Sequence, residues 1–219
     1  MFSILKKAPV TRTLLIAITV IAIAECLVGA RSLNPMTEFL NEDQAIAFGA
    51  IVPGMMFFGQ YWRAITGMFL HANWLHWAAN AWALFQLGSL YEVMFGSVRF
   101  TAIYFVTGII ASIASSMVST HIAVGASGAI LGILGAFFFS IKRSPVWRHE
   151  RWTKSLLNQL LFWAGLNLVL GLEVKNIDNT AHIAGLVSGI LLGLIPHRVP
   201  PPPPSSRVVD VTPSSYGNE

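Results

Sequence analysis

Six runs of apolar residues, each bounded by cations or turn residues, constrain the fold of this 219-residue chain more than any other feature. They cover residues 13–30, 74–95, 100–120, 125–141, 156–172 and 181–195. A helix needs about 20 apolar residues to cross the hydrocarbon of a bilayer, within a range of roughly 17–25. The sixth run is therefore short and the fourth marginal. No backbone polar group can go without a partner in lipid, so each run is expected to be α-helical. The period-2 alternation of a membrane β-barrel is absent from the sequence. Apolar residues make up 54% of the chain and charged residues 11%, where a soluble protein carries about 25% charge. The predicted fold class is all-α, a polytopic membrane protein built as a six-span helical bundle.

The cations set the expected orientation. Lys6, Lys7 and Arg12 precede the first span, and Arg99 lies between the second and third. Lys142, Arg143, Arg148, Arg151 and Lys154 fill the connection between the fourth and fifth, and Arg198 and Arg207 follow the sixth. With six spans all eleven of these fall on one side, leaving Arg31, Arg63 and Lys175 on the other. The positive-inside rule puts the crowded side and both termini in the cytoplasm. The net charge of +4 thus reflects flanking cations, not a solvated basic patch, and no nucleic-acid partner is expected. The single cysteine, Cys26, excludes an intramolecular disulfide and a C-x-x-C site.

The chain divides into a cytoplasmic segment 1–12, a membrane domain 13–197 and a tail 198–219. The two N-terminal lysines, the apolar run and Val28-Gly29-Ala30 also resemble a secretory signal with its cleavage site. The run is long for that role, and its removal would leave an odd number of spans, so an uncleaved first helix is expected. The outer connection 31–73 holds an apolar stretch, 46–58, interrupted by Gly49, Pro53 and Gly54. It is too short to span and reads as re-entrant or interfacial, with Trp62, Trp74 and Trp77 as an aromatic anchor at headgroup level. Five prolines, 200–204, open a Pro- and Ser-rich tail that is expected to be a mobile spacer.

Polar side chains within spans are costly and mark function. Gly125-Ala126-Ser127-Gly128 opens the fourth span. Small residues there favour close helix packing, while Ser127 at a helix N-terminus would face unpaired N–H groups suited to an oxyanion. Glycines at 125 and 128 would let a substrate backbone approach. Ala181-His182-Ile183-Ala184-Gly185 opens the sixth span, and Ala181, Gly185, Gly189 and Gly193 form a small-residue stripe at intervals of four. An intramembrane histidine is either an interfacial group bonded to a loop carbonyl or part of a site. The fourth and sixth spans run in the same direction, so Ser127 and His182 lie at similar depth, with glycine faces that permit contact. A serine hydroxyl needs a neighbouring base to become a nucleophile, and neutral imidazole suits that task. Asp178, the nearest acid, fits a helix cap as well as a third member. In the second span His76 and Asn80, four apart, share a face and could donate to a developing oxyanion; polar glue between helices is the plain alternative. His71 and His76, five apart with no accompanying H-E-x-x-H pattern, do not suit a metal.

Taken together these residues resemble the rhomboid family of intramembrane serine proteases. The likeness runs through most of the span region: Trp62-Arg63 and Met68-Phe69-Leu70-His71 in the first loop, His76 and Asn80 as H-x-x-x-N, Gly88, Glu92 and Gly96, Gly125-Ala126-Ser127-Gly128 as G-x-S-G, and Ala181-His182 with Gly185 as A-H-x-x-G. The resemblance implies that Ser127 is the nucleophile and His182 its general base and later acid. It implies an oxyanion hole made by the Ser127 backbone N–H, His76 and Asn80, and structural roles for Trp62, Arg63 and Glu92. Two positions depart from the pattern: Leu131 stands where an aromatic residue often packs on the histidine, and Gly67 where proline is frequent.

The expected function is hydrolysis of peptide bonds in or near transmembrane segments of membrane-protein substrates, in a bacterial cytoplasmic membrane with the site open to the extracytoplasmic side. Substrate segments that unwind easily are favoured. No cofactor or metal is implied, and the partners are the bilayer and the substrates. One rival is an inactive relative that binds membrane helices; retention of all four polar groups argues against it. A small transporter would show internal repeats and interrupted helices, and the two halves show no convincing repeat.

Overall fold

The computed structural model describes residues 2–29, 31–145, 147–148, 151–173 and 177–196. The proline-rich tail, Lys175, Arg198 and Arg207 lie outside the described residues. Among these the fold is all-helical, with one isolated antiparallel bridge, Ile51–Ala123. A short α1 (Phe2–Lys6) leads into α2 (Pro9–Val28), followed in the outer connection by α3 (Glu42–Phe48), a 3₁₀ turn (Met55–Phe58) and α4 (Arg63–Thr66). Next come α5 (Trp74–Ala83), a π-helical turn (Leu84–Gly88) and α6 (Ser89–Phe95), which run on as one helix because the joining residues keep right-handed helical angles. The rest are α7 (Ser97–Val118), α8 (Ser127–Arg143), α9 (Arg151–Glu173) and α10 (Asn179–Leu194).

Two of these helices, α2 and α7, are each long and apolar enough to cross a bilayer, and α10 is apolar but shorter. The second predicted span, 74–95, is the α5–α6 helix with its π turn. The interfacial stretch 46–58 is not one element: it divides between α3, which ends on Gly49, and the 3₁₀ turn that follows Gly54. A capping box of Asn41 and Gln44 starts α3.

At the centre stands α8, with 12 of its 17 residues buried, as expected of a helix that is apolar all round. Its packing is set by small residues. A methyl group on Gly185, Gly189 or Gly193 would run into the backbone of Gly128, Gly132 or Ala136 respectively. The constant offset along both chains makes α8 and α10 parallel and locks their register. On the opposite side Gly128 faces Ala111 and Gly132 faces Thr107, so α7 runs antiparallel to α8. Close backbone approach through small residues is what associates helices where the surroundings are themselves apolar. The outward face of α10 carries Ile183, Val187, Leu191 and Ile195, and that of α2 carries Ile16, Val20, Ile23 and Leu27, all exposed. Contiguous apolar faces of this kind are not those of a water-soluble monomer.

Toward the end of the bundle opposite the start of α8, the inner end on the expected orientation, Tyr91, Phe95, Phe100, Tyr104 and Phe137 make an aromatic core. Glu92, only 2% exposed, sits beside it. One of its carboxylate oxygens accepts from Val10 N–H (2.9 Å) and Ser97 Oγ (2.7 Å), the other from Thr11 N–H (2.8 Å) and Thr11 Oγ (2.7 Å). Because Ala8 and Pro9 give α2 no cap of its own, Glu92 supplies the acceptor and negative charge that a helix N-terminus needs.

Candidate active site

Ser127 is the first residue of α8, so its own N–H belongs to the opening turn, which has no intrahelical acceptors. His182 lies in the first turns of α10 after the N-cap Asp178. Parallel packing brings the two N-termini side by side, and Ser127 Oγ lies 2.8 Å from His182 Nε2. His182 is 6% exposed, whereas Ser127 is half-buried. With the hydroxyl donating to Nε2, Nδ1 is the protonated ring nitrogen. Asp178 takes up the cap position that the sequence allowed it: its side chain accepts from Ala181 N–H at 3.1 Å.

On the other side of the serine, Gly125 has φ +127°, a left-handed conformation that glycine tolerates. The space its missing side chain leaves is taken by the second-span pair. A methyl group there would fall 2.7 Å from His76 Cε1, 2.8 Å from His76 Nε2 and 3.6 Å from Asn80 Nδ2. Glycine at 125 therefore lets both donors reach the backbone just before the serine. Asn73 caps α5 by accepting from His76 N–H at 2.9 Å. Ala72 N–H approaches His76 Nδ1 at 3.4 Å, which leaves the proton on Nε2, the nitrogen facing Gly125. Asn80, 5% exposed, keeps its buried Nδ2 without an acceptor among the described residues. All the predicted site residues, Ser127, His182, His76, Asn80, Gly125 and Gly128, thus meet at one end of the bundle. Gly128 is packed against Ala111, Ala181 and Gly185, so it serves helix contact and does not line an open subsite.

The outer connection fixes this end. Ile51 and Ala123 exchange backbone hydrogen bonds of 2.9 Å, Gly54 N–H donates to Ser116 O at 2.8 Å, and Gly125 N–H to Gly67 O at 2.9 Å. Ser116 Oγ adds a bond to Val52 O. The segment that ends on Ser127 is thereby clamped to the loop. Arg63 holds the loop itself together, donating to Ile46 O, Ala50 O and Gln60 Oε1 at 2.6–2.9 Å while stacking on Trp62. A residue not singled out by the sequence, Glu25 of α2, is buried and accepts His71 N–H with both oxygens. A carboxylate inside an apolar run was the signal available for it.

What this arrangement can do chemically is narrow: a hydroxyl next to a base, flanked by two donors with little else to bind. The same residues fall within a recognised family pattern. A family model described as "Rhomboid domain" matches residues 58–199. The chain is 37% identical over 149 residues to "Rhomboid protease GluP" of Bacillus subtilis, covering 68% of this chain and 29% of that protein. It is 34% identical over 185 residues to "Rhomboid protease AarA" of Providencia stuartii, covering 73% of this chain and 66% of that one. It is 35% identical over 164 residues to "RHOMBOID-like protein 6, mitochondrial" of Arabidopsis thaliana, covering 74% of this chain and 51% of the relative. The matched length is thus under a third to about two thirds of these relatives. With the family model spanning well over half of the sequence and the helix-terminal pair inside it, the chain belongs to the rhomboid family of integral membrane proteins.

Proposed function

We propose that this protein is an intramembrane serine endopeptidase that hydrolyses peptide bonds in or near the transmembrane segments of other membrane proteins. The observation that carries the reading is the 2.8 Å contact between Ser127 Oγ and His182 Nε2 at two adjacent helix N-termini. In the reaction His182 Nε2 takes the hydroxyl proton as Ser127 Oγ attacks the scissile carbonyl carbon. The negative charge that develops on the carbonyl oxygen is met by the Ser127 N–H, His76 Nε2–H and Asn80 Nδ2–H. His182 then gives the proton to the leaving amine, and water, activated by the same imidazole, releases the acyl group from Ser127.

The bundle supports a site sunk below the outer surface. At 1.5 Å per residue the 17 residues of α8 and 16 of α10 reach only about 26 and 24 Å, short of the roughly 30 Å hydrocarbon layer. Six crossings with both termini cytoplasmic, as the cation count suggests, put Ser127 in a wet recess open to the extracytoplasmic side of a bacterial cytoplasmic membrane. A substrate helix must unwind to present its amide there, which favours segments with glycine, proline or polar residues.

The test is cleavage of a reconstituted transmembrane substrate by the full chain and by Ser127→Ala. Cleavage is expected to vanish in the variant while its thermal transition stays where it was. Cleavage undiminished in Ser127→Ala overturns the assignment. Substrate binding without cleavage by the unmodified chain would instead place it with inactive, helix-binding relatives.

A further inference from the structure

The proposed mechanism uses the Nε2 side of His182 and leaves the other side of the ring unexplained. Its Nδ1, the donor nitrogen, is buried and has no partner among the described residues. One helical turn earlier, Asp178 Oδ2 is also buried and also without a partner. The other oxygen of that carboxylate is fully occupied, accepting from Ala181 N–H at 3.1 Å and from Ser119 Oγ, at the end of α7, at 2.8 Å. Ser119 holds the carboxylate to the bundle, so Oδ1 does the folding work and Oδ2 is spare. Ring and carboxylate are one helical turn apart, and His182 N–H donates to Asp178 O at 3.1 Å.

The position of His182 creates a problem that this carboxylate answers. When the imidazole takes the Ser127 proton it becomes a cation in the first turns of α10, at the positive end of the helix dipole, where a cation is disfavoured. A buried donor and a buried acceptor left unspent are each costly; a helix cap alone would not need the second oxygen to be kept inside. We infer that Asp178 is a positioning residue of the site, whose carboxylate orients the His182 ring and offsets the positive charge it gains during acylation. The inference rests on the assignment of Ser127 and His182 above. No bond is made or broken at Asp178; the transferred proton stays on His182 until it goes to the leaving amine.

The test separates charge from cap. Asparagine caps helices about as well as aspartate, and its amide oxygen can still accept from Ala181 and Ser119, so Asp178→Asn removes only the charge. In the full chain reconstituted in vesicles, kcat on a model transmembrane substrate and the rate of Ser127 labelling by a fluorophosphonate should both fall at least about tenfold, as expected for losing one nearby charge in a partly buried site. KM and Tm should not move. Asp178→Ser, a second neutral cap, should behave the same way, whereas Asp178→Ala should lower Tm as well. Wild-type kcat and labelling in Asp178→Asn overturn the inference and leave a cap only. So does a loss of Tm in both neutral caps that accounts for their lost activity. Failure of the parent reading looks different: Ser127→Ala would then cleave, or escape no labelling, whatever stands at 178.

Discussion

The two ends of the bundle treat buried polar side chains in opposite ways. At the inner end the ionisable ones are saturated. Glu92 receives four hydrogen bonds from α2 and Ser97, and Arg99 donates to Tyr91 Oη at 2.8 Å and to the last carbonyls of α10, Leu192 O at 3.2 Å and Ile195 O at 3.4 Å. At the outer end Asn80 Nδ2, His182 Nδ1 and Asp178 Oδ2 are buried with no partner among the described residues. Unpaired groups also occur elsewhere, at the hydroxyls of Ser89, Ser115 and Tyr104 and at Trp147 Nε1, but the contrast holds for the acidic, basic and amide side chains. A saturated network rigidifies, and an unsaturated one keeps donors in reserve for a charge that appears only during reaction. On the proposed function, one end of the molecule holds the helices and the other does the chemistry.

The largest test of this contrast is at the inner end. Glu92→Ala strips one acceptor from each of four donors and leaves α2 uncapped. A buried donor left without its acceptor costs about 1–3 kcal/mol. A marked fall in Tm is expected, with the folded fraction still labelled by a fluorophosphonate at the wild-type rate per folded molecule. Labelling that fails in folded Glu92→Ala would mean that the inner end also shapes the site, and the division of labour would be wrong.

The next effect belongs to the outer end and has the opposite signature. Asn80→Ala removes a donor with no acceptor among the described residues, so Tm should stay the same or rise slightly. Loss of one oxyanion donor costs roughly 10²–10³ in kcat. Should cleavage persist at the wild-type rate, the developing charge is stabilised elsewhere, and Asn80 is only polar glue between helices.

The inner end was the easier to read from sequence. The cations that close the apolar runs mark where helices stop, and the family resemblance gave Glu92 a structural role. The expected limits of the second and sixth spans lie close to those of α5–α6 and α10. For α9 the apolar run starts at 156, yet the helix begins at Arg151, because Arg and Lys are good helix formers and polarity alone does not interrupt backbone pairing. At the outer end the facing of Ser127 and His182 could be argued from helix direction and the glycine stripes, and the His76–Asn80 pair from their spacing. Three features could not. The clamp between 51–54 and 116–125 pairs residues more than 60 positions apart, and local periodicity carries no such information. The left-handed turn at Gly125 depends on what fills the space beside it, and Glu25 is explained only by a backbone N–H it meets 46 residues later. Gly128 shows the converse: the small residue was visible, but whether it contacts a helix or a substrate depends on what packs beside it.

The smallest effect concerns Leu131, one turn below Ser127 on the face of α8 where the family pattern would allow an aromatic ring. Leu131 is 2% exposed and belongs to the central apolar cluster, so the site is already filled at this position. Leu131→Phe adds volume to a packed layer whose neighbours include the close-set α7 and α10, and overpacking costs about 1–3 kcal/mol. A drop in Tm of a few degrees is expected, with kcat unchanged, because on the inference above His182 is oriented from its Ser127 and Asp178 sides and not by a ring at 131. A rise in kcat together with a steady Tm would show that the ring is missed here after all. The outer end would then lack a packing element as well as hydrogen-bond partners, and its polar groups would be unspent because the site is incompletely packed, not because they are held for the transition state.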